Sequence, residues 1–406
     1  MTKTIIAFIP GTTASELVNP NGKTIWPNLI GEGKIKLAEW ADQLLLYKEK
    51  ITVGNLVPTY PNPVDPTKPI PCYQSLMDYM GTSSNFGSDV NFTLYTYNSA
   101  SATAKVPVAD YLFYMIPYDW RQENGPGDGS NSTWVNAALT QLDASYAGED
   151  YQLFIMAHSM GGLISRYLLE VTPNKGPWVS KLQALITLGT PHYGAPLALP
   201  AILGDAIAGQ KGIPWSQKLF ISGYVQKLIN NPHYPSTYEL LPPQGAPFLT
   251  DEKTGASLDL YAPSDALAKA LSRAGVLGVA HFDAKTLAGV QKDFFGAMPY
   301  QGPFSVPYHC LVGTQEETIT SVTYTPGNLV HKADFLAVPT VGAAGGDGVV
   351  PQTSASFQPP SGTANKGVSV YEFANYDHGQ LAGSNMTTQP AAIETALFQI
   401  IGIPKP

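Results

Sequence analysis

A serine in a tight turn between a buried strand and a helix is the feature that most constrains this chain. The segment Tyr151 to Gly162 reads YQLFIMAHSMGG, an apolar run that leads into Ser159 and then into a helix-like stretch, Leu163 to Glu170. Small flanking residues allow so sharp a turn, which leaves the hydroxyl free to act as a nucleophile. Ala157 stands where glycine is usual, and Gly161 keeps the second small position. The alternative is a surface serine in a glycine-rich turn, but the strand before it and the helix after it favour the nucleophile.

A serine hydroxyl attacks only when a base takes its proton, and the base needs an acid to orient it. The glycine-rich segment Val341 to Pro351 contains one carboxylate, Asp347. Farther on, His378 follows a strand-like run, Val368 to Phe373. The chain order serine, acid, histidine is the one expected after such a turn. We therefore predict Ser159 as nucleophile, Asp347 as acid and His378 as base.

Other acids and bases compete for these roles. Asp377 adjoins His378, but an acid next to its histidine in sequence rarely reaches Nδ1 while Nε2 faces the serine. His158 adjoins the nucleophile and is expected to pack the turn and to border the substrate. His192 precedes every plausible acid, so we interpret it as shaping a loop near the site. The remaining histidines lie in segments without the loop context of a catalytic base: His233, His281, His309 and His331.

The oxyanion of an acyl-transfer reaction needs two N–H donors, one from the residue after the nucleophile and one from a loop behind an early strand. The backbone of Met160 supplies the first. The strand-like run Thr4 to Ile9 leads directly into Pro10 to Ser15, a segment called the oxyanion loop below. We predict Thr12 as the second donor and Thr13 as the alternative, also in reach of substrate; an ordinary strand-terminal turn would leave both without this role.

A second strand-like run, Tyr111 to Ile116, ends in Pro117-Tyr-Asp-Trp-Arg121. The carboxyl ends of parallel strands are where ligands bind. Trp120 is therefore a candidate wall of a substrate pocket, although a purely structural position is equally compatible with the sequence. Asp119 and Arg121 are expected to form an ion pair that braces the loop.

Several of these motifs occur together in one known family. In chain order they are Pro10-Gly11 with Trp26-Pro27, Pro117 to Arg121, the serine turn, Pro235 to Pro242, His309 to Thr314, Gly346 to Pro351, and Asp377-His378-Gly379. The chain thereby resembles the lecithin:cholesterol acyltransferase family, which includes lysosomal phospholipases and bacterial lipase-like members of the α/β-hydrolase fold. The resemblance implies the same Ser159, Asp347 and His378 triad. Cys72 and Cys310 lie far apart, so the family's short disulfide-closed lid loop is not evident.

Strand-like and helix-like segments alternate along the chain, which predicts the α/β class with a mostly parallel central sheet flanked by helices. We expect one α/β-hydrolase domain over residues 1–406, with insertions at 28–105 and 197–305 forming a cap over Ser159. Aromatic residues of these insertions are candidates to line an acyl channel, though such residues are more often plain core: Trp40, Tyr60, Trp215, Phe220, Tyr224, Phe294 and Phe295.

Composition excludes several classes of function. Of the 406 residues 13% are charged, the net charge is -8 and no Lys/Arg cluster occurs, which argues against binding nucleic acid or docking electrostatically on anionic membranes. No apolar run is long enough to span a bilayer. No metal-ligand spacing appears, so we expect neither metal nor cofactor. The first core strand follows Met1-Thr-Lys at once, so we expect a cytoplasmic chain, or a secreted one whose leader has been removed.

The sequence thus predicts a serine hydrolase that cleaves carboxylic esters through an acyl-enzyme. Its expected partner is a small-molecule or lipid ester, with transient contact to a lipid interface. Water as acceptor makes an esterase or lipase, and a lipid alcohol makes an acyltransferase; the missing lid disulfide favours hydrolysis. A catalytically silent binding protein of the same fold is the rival, against which the complete set of Ser159, Asp347 and His378 argues.

Overall fold

The computed structural model describes most of the chain. The described residues are 2–27, 50–61, 67–203, 234–271, 284–299, 302, 304–326, 335–358 and 365–406. Four of the aromatic residues expected to line a channel lie outside them: Trp40, Trp215, Phe220 and Tyr224.

The strands fall into one large sheet and three small ones. They are β1 (Lys3–Ile9), β2 (Ser15–Val18), β3 (Thr24–Trp26), β4 (Thr52–Leu56), β5 (Thr59–Tyr60), β6 (Ile70–Pro71), β7 (Phe92–Thr96), β8 (Tyr111–Met115), β9 (Tyr151–His158), β10 (Leu182–Leu188), β11 (Leu249–Asp251), β12 (Tyr308–Thr314), β13 (Glu316–Pro326), β14 (Phe335–Gly346) and β15 (Val368–Ala374).

The large sheet has seven strands in the order β15-β12-β10-β9-β1-β8-β7. Every neighbouring pair in it is parallel. In its middle, Ile6 of β1 lies opposite Phe113 on one side and Phe154 on the other. Parallel strands buried on both faces read as continuous apolar runs, and this explains why β1, β8, β9 and β10 could be found in the sequence.

The described residues also form helices. They are α1 (Gln74–Met80), α2 (Asn131–Ser145), α3 (Met160–Glu170), α4 (Ala198–Leu203), α5 (Pro235–Tyr238), α6 (Asp265–Leu271), α7 (Ala284–Val290), α8 (Gln352–Ala355), α9 (His378–Leu381) and α10 (Ala391–Glu394), with 3₁₀ turns at Ser83–Asn85 and Pro177–Lys181 and π-helical turns at Gln291–Phe295 and Thr395–Ile401.

Alternate residues of β1 enter the two cores on opposite faces of the sheet, as the two-residue period of a strand requires. Ile5 packs in the cluster that contains Leu139 of α2 and Ile164 of α3. Ile6 packs in the cluster that contains Leu76 of α1 and several residues of the C-terminal helical turns. The large sheet is therefore covered on both faces, and the predicted α/β class is confirmed.

A third apolar cluster lies beside α3, the helix that follows Ser159. It joins Leu163 of that helix to side chains of the second insertion and to Val322 of β13. Phe294 and Phe295 are fully buried in this cluster. These two aromatic residues therefore belong to a core rather than to a channel.

The structure differs from the sequence prediction in two elements. The first insertion, expected to span residues 28–105, contains β7, which is the edge strand of the large sheet and pairs with β8. The small sheet β11-β13-β14 was not predicted; its strand β14 leads directly to Asp347. Near the C-terminus, the helix α10 continues from Glu394 as a π-helical turn.

The bracing ion pair is present. The guanidinium of Arg121 donates to both carboxylate oxygens of Asp119, through Nε at 2.8 Å and Nη2 at 2.7 Å. Cys72 and Cys310 are both free thiols. No helix within the described ranges is long and apolar enough to cross a bilayer.

Candidate active site

Ser159 lies at the junction of β9 and α3, with a backbone conformation that few serines adopt. Its φ is 52° and its ψ is -125°, and its N–H donates to the carbonyl of Leu188 at 2.9 Å. A positive φ costs a residue with a Cβ about 1–3 kcal/mol and persists only where the surroundings impose it. The strain lifts the hydroxyl out of the strand at the N-terminal end of α3, where the helix dipole favours negative charge.

The small residue at position 161 is required by packing. A Cβ on Gly161 would lie 2.5 Å from the carbonyl oxygens of Ile9 and Pro10, so the first turn of α3 rests directly on the end of β1. Ala157, by contrast, is fully buried in the core cluster of that side of the sheet. One methyl group fits there, and this accounts for the departure from the usual glycine.

Asp347 and His378 are hydrogen-bonded to each other. The Nδ1 of His378 lies 2.8 Å from Oδ2 of Asp347, whose side chain is completely buried. The second oxygen, Oδ1, accepts from the N–H groups of Val349 at 3.0 Å and Val350 at 2.8 Å. With Nδ1–H donating to the carboxylate, Nε2 of His378 is left as the proton acceptor.

Gly189 makes room for this pair. Its φ is +57°, and a Cβ there would lie 2.7 Å from Oδ2 of Asp347 and 3.0 Å from Nδ1 of His378. The end of β10 therefore packs its backbone against the side chains of Asp347 and His378. Any side chain at this position would push the two groups apart.

Asp377 has a different partner. It caps α9, where its Oδ1 accepts from the N–H of Gln380 at 2.9 Å and its own N–H donates to Oε1 of Gln380 at 2.8 Å. Burial raises the pKa of its carboxyl. The rival acid is thus used to start the short helix that carries His378.

The oxyanion loop borders the nucleophile. Thr12 and Thr13 line the same cavity as Ser159. Among the described residues, no protein group accepts a hydrogen bond from the backbone N–H of Thr12 or of Met160. The N–H of Gly11, in contrast, donates to the hydroxyl of Tyr73. The two donors predicted for the oxyanion are therefore free to bind one.

The cavity has a volume of about 170 Å³, which exceeds the roughly 150 Å³ of an apolar cavity that binds benzene. Ser159 and His378 both open into it. Its remaining lining is largely apolar and comes from both predicted insertions as well as from the core, including Trp26, Tyr60, Pro71, Leu197, Leu240 and Val350.

Trp120 does not line this cavity. It is buried one layer behind, with its ring edge-on to Trp26 at 5.2 Å between centroids and to Tyr234 at 6.0 Å. Trp26 holds the cavity position instead, and its Nε1 donates to the carbonyl of Thr13. In the sequence, Trp26 belongs to the family motif Trp26-Pro27, and no feature of that motif predicts that its side chain lines the cavity.

Two buried histidines flank the site in different ways. His158 lines the cavity and its Nδ1 is 2.6 Å from the hydroxyl of Tyr73, a contact that the sequence gave no means of finding. His192 is fully buried, stacked on Phe357 at 4.5 Å and 3.2 Å from the hydroxyl of Thr187. Burial lowers the pKa of both imidazoles well below its ordinary value, so both are neutral.

The other histidines are remote from this geometry or not described. His309 lies on β12 with its Nδ1 3.2 Å from the hydroxyl of Tyr371. Three lie outside the described residues: His233, His281 and His331. In the part of the chain that the structure covers, no group of His, Cys, Asp and Glu side chains could hold a metal ion.

Comparison with known proteins agrees with the motifs. The family model described as lecithin:cholesterol acyltransferase matches residues 108–260, so the predicted resemblance is confirmed over that segment. No curated protein sequence matches the chain.

Several solved structures are similar to this chain over more of its length than the family model. The crystal structure of the Tle4-Tli4 complex is similar with a TM-score of 0.58 at 14% identity, covering 100% of both chains. Phospholipase PlaB from Legionella pneumophila has a TM-score of 0.37 at 12% identity, covering 99% of this chain and 61% of its own. Bacillus licheniformis lipase BlEst2 in mature form has a TM-score of 0.33 at 14% identity, covering 79% and 94%. Together with the parallel sheet and the serine turn, the likeness to the first confirms the predicted α/β-hydrolase fold.

Proposed function

We propose that this protein is a serine hydrolase that cleaves carboxylic esters of lipid-like acids through an acyl-enzyme. The observation that carries the proposal is the meeting of three groups: Ser159 in a strained turn, His378 in the same cavity, and buried Asp347 bonded to Nδ1 of that histidine. The match to the lecithin:cholesterol acyltransferase model supports ester hydrolysis or acyl transfer as the class of reaction.

In the first half-reaction Oγ of Ser159 bonds to the ester carbonyl carbon while Nε2 of His378 takes the serine proton. Asp347 stabilises the resulting imidazolium through the 2.8 Å bond to Nδ1. The N–H groups of Met160 and Thr12 bind the oxyanion. When the tetrahedral intermediate collapses, the ester C–O bond breaks and the leaving alcohol takes the proton from His378.

In the second half-reaction His378 removes a proton from the acceptor, and the acceptor oxygen attacks the acyl carbon on Ser159. Collapse of the second intermediate breaks the Ser159 ester and returns the proton to Oγ. Water as acceptor gives an acid, and an alcohol gives a new ester. The name of the matching family favours including an alcohol acceptor in the test.

The lining of the cavity supports an apolar acyl group as the part of the substrate that is recognised. Burial of such a group contributes about 25 cal/mol per Å² of apolar surface removed from water. The aliphatic and aromatic walls described above offer this surface next to the nucleophile. A closed site also excludes water and so strengthens the oxyanion interactions.

The decisive experiment is substitution of the nucleophile. Ser159→Ala should lower p-nitrophenyl ester hydrolysis by about 10^6-fold and abolish labelling by a fluorophosphonate. Ser384, the other serine of the cavity, provides the matched variant: Ser384→Ala should still be labelled. If Ser159→Ala retained a tenth of the activity in a preparation free of other esterases, the proposal would fall.

The acceptor can be identified in the same assay. Adding a long-chain alcohol should divert part of the acyl group from free acid to a new ester if the protein transfers acyl groups. Quantifying acid and ester by chromatography separates the two outcomes. A product that remains entirely free acid at saturating alcohol assigns the protein to the hydrolases.

A further inference from the structure

The hydroxyl of Tyr73 connects the oxyanion loop to the histidine beside the nucleophile. It accepts from the N–H of Gly11 at 2.9 Å and lies 2.6 Å from Nδ1 of His158. The other ring nitrogen of His158, Nε2, lies 3.0 Å from the backbone carbonyl of His378. One continuous chain of hydrogen bonds thus runs from residue 11 through residues 73 and 158 to residue 378.

The direction of each bond follows from the partners. A carbonyl oxygen only accepts, so Nε2 of His158 carries the proton and donates to His378. Since the imidazole is neutral, Nδ1 is then an acceptor, and the Tyr73 hydroxyl donates its hydrogen bond to it. The Tyr73 oxygen in turn accepts from Gly11. Each of the three hydrogen bonds therefore has one direction, from donor to acceptor.

These hydrogen bonds join parts of the site that lie far apart in the sequence. Tyr73 and His158 are both buried, with exposures of 2% and 8%. A Cβ on Gly11 would lie 2.9 Å from Nδ1 of His158 and 3.1 Å from Cβ of Ser159. The loop that bears Thr12 therefore rests on the nucleophile turn, and the hydrogen bonds determine where it rests.

We propose that Tyr73 and His158 are positioning residues for the reaction proposed above: they hold the Thr12 N–H at the place where the oxyanion forms and hold the backbone of the base beside the nucleophile. This inference rests on the proposed function. Both residues line the cavity, but among the described residues neither hydrogen-bonds to Oγ of Ser159 or to Nε2 of His378. Displacement of a donor by about 1 Å can lower the rate about a hundredfold. The loss of these hydrogen bonds should therefore have a measurable effect on kcat.

The charge of His158 matters as well as its position. Its ring centroid lies 4.6 Å from that of His378, which becomes an imidazolium during each half-reaction. A second positive charge there would oppose the proton transfer. The Tyr73 hydroxyl donates to Nδ1 and so occupies the nitrogen at which His158 would otherwise take up a proton.

The first test is Tyr73→Phe, which removes the hydroxyl and keeps the ring. We expect kcat to fall about tenfold to a hundredfold with KM changed by less than about threefold, because the lost interactions act on the transition state. The matched control is Tyr114→Phe, which removes a buried hydroxyl that donates to the Ala138 carbonyl at 3.1 Å; its kcat should stay at the wild-type value.

The second readout is binding of phenylboronic acid, which forms a tetrahedral boronate on the nucleophile and so probes the oxyanion donors directly. In Tyr73→Phe its inhibition constant should rise by the same factor as kcat/KM falls. An unchanged inhibition constant together with lower kcat would mean that the variant harms the enzyme in another way, and would overturn the proposal.

The third test concerns His158. His158→Gln can still donate to the His378 carbonyl and accept from Tyr73, so it should retain more activity than His158→Leu. The double variant Tyr73→Phe/His158→Leu should be no slower than the worse single variant, because residues in one chain act as a unit. Additive losses would overturn the proposal.

The outcomes separate this proposal from the proposed function. If Ser159→Ala is inactive while Tyr73→Phe keeps the wild-type kcat, the positioning role is wrong and the hydrolase assignment remains. If Ser159→Ala remains active, both are wrong.

Discussion

Glu239 is a carboxyl group whose burial should make the stability of the protein depend on pH. It follows α5 and is 1% exposed, and its Oε2 accepts from the N–H of Asn124 at 2.8 Å. Burial raises its pKa to about 8 from an ordinary 4.5. The folded protein therefore keeps Glu239 protonated at neutral pH, whereas the unfolded chain ionises it.

The sign and size of the effect follow from this difference. The folded state binds the proton more tightly, so the contribution of Glu239 is fully favourable below about pH 4.5 and is lost as the pH rises toward 8. A tenfold change in affinity corresponds to 1.36 kcal/mol, so the loss over this range is at most about 5 kcal/mol and reaches about 3 kcal/mol by pH 7.

Glu239→Gln should remove this dependence, because glutamine is neutral at every pH and keeps an oxygen for the Asn124 N–H. We expect the variant to gain stability relative to wild type, by about 3 kcal/mol, between about pH 4.5 and pH 7. Urea unfolding at a series of pH values measures it. Glu252→Gln, at an exposed glutamate, is the control whose curve should parallel that of wild type. If the Glu239→Gln curve were also parallel to wild type, the burial argument would be refuted.

Three further predictions test the site. Asp347→Asn should lower kcat by about 10^4-fold because His378 loses its orienting partner, and Asp377→Asn should cost far less; reversed losses would reassign the acid. Gly161→Ala should lower the free energy of unfolding by about 1–3 kcal/mol, measured by urea unfolding, because the added methyl group would clash with two backbone carbonyl oxygens; wild-type stability would contradict that packing. The value of kcat/KM should rise from acetyl to medium or long acyl esters, and Leu240→Trp should flatten the rise by filling the cavity; a wild-type preference for acetate would refute the acyl site.

The parts of the fold that the sequence predicts are those decided by local pattern. The strands β1 and β9 are continuous apolar runs because both of their faces are buried, and the turn at Ser159 needs small residues within four positions of the serine. The edge strand β7 was assigned to an insertion because its residues are mostly half-buried, so it has no continuous apolar run. The strand β14 contains a proline and three glycines, so its sequence does not read as a strand.

The contacts that determine the shape of the site depend on residues far apart in the chain. Tyr73 meets His158 across 85 positions, and no local pattern in the sequence indicates such a pair. The position of Trp26 in front of Trp120 is likewise decided by how two distant segments of the chain pack. The sequence alone would allow either indole to line the cavity. Sequence reasoning therefore predicts which groups could react and cannot predict which side chains hold them.

The placement of β15 has a consequence for how the protein would lose activity. This strand lies at the edge of the large sheet, pairs there with β12, and leads into α9 with His378. Edge elements open with less free energy than the core strands. Detachment of this one strand would withdraw His378, the proposed base, while β1 and β9 still carry an ordered Ser159. Mild heat or denaturant should therefore silence the enzyme reversibly while its central sheet is still folded.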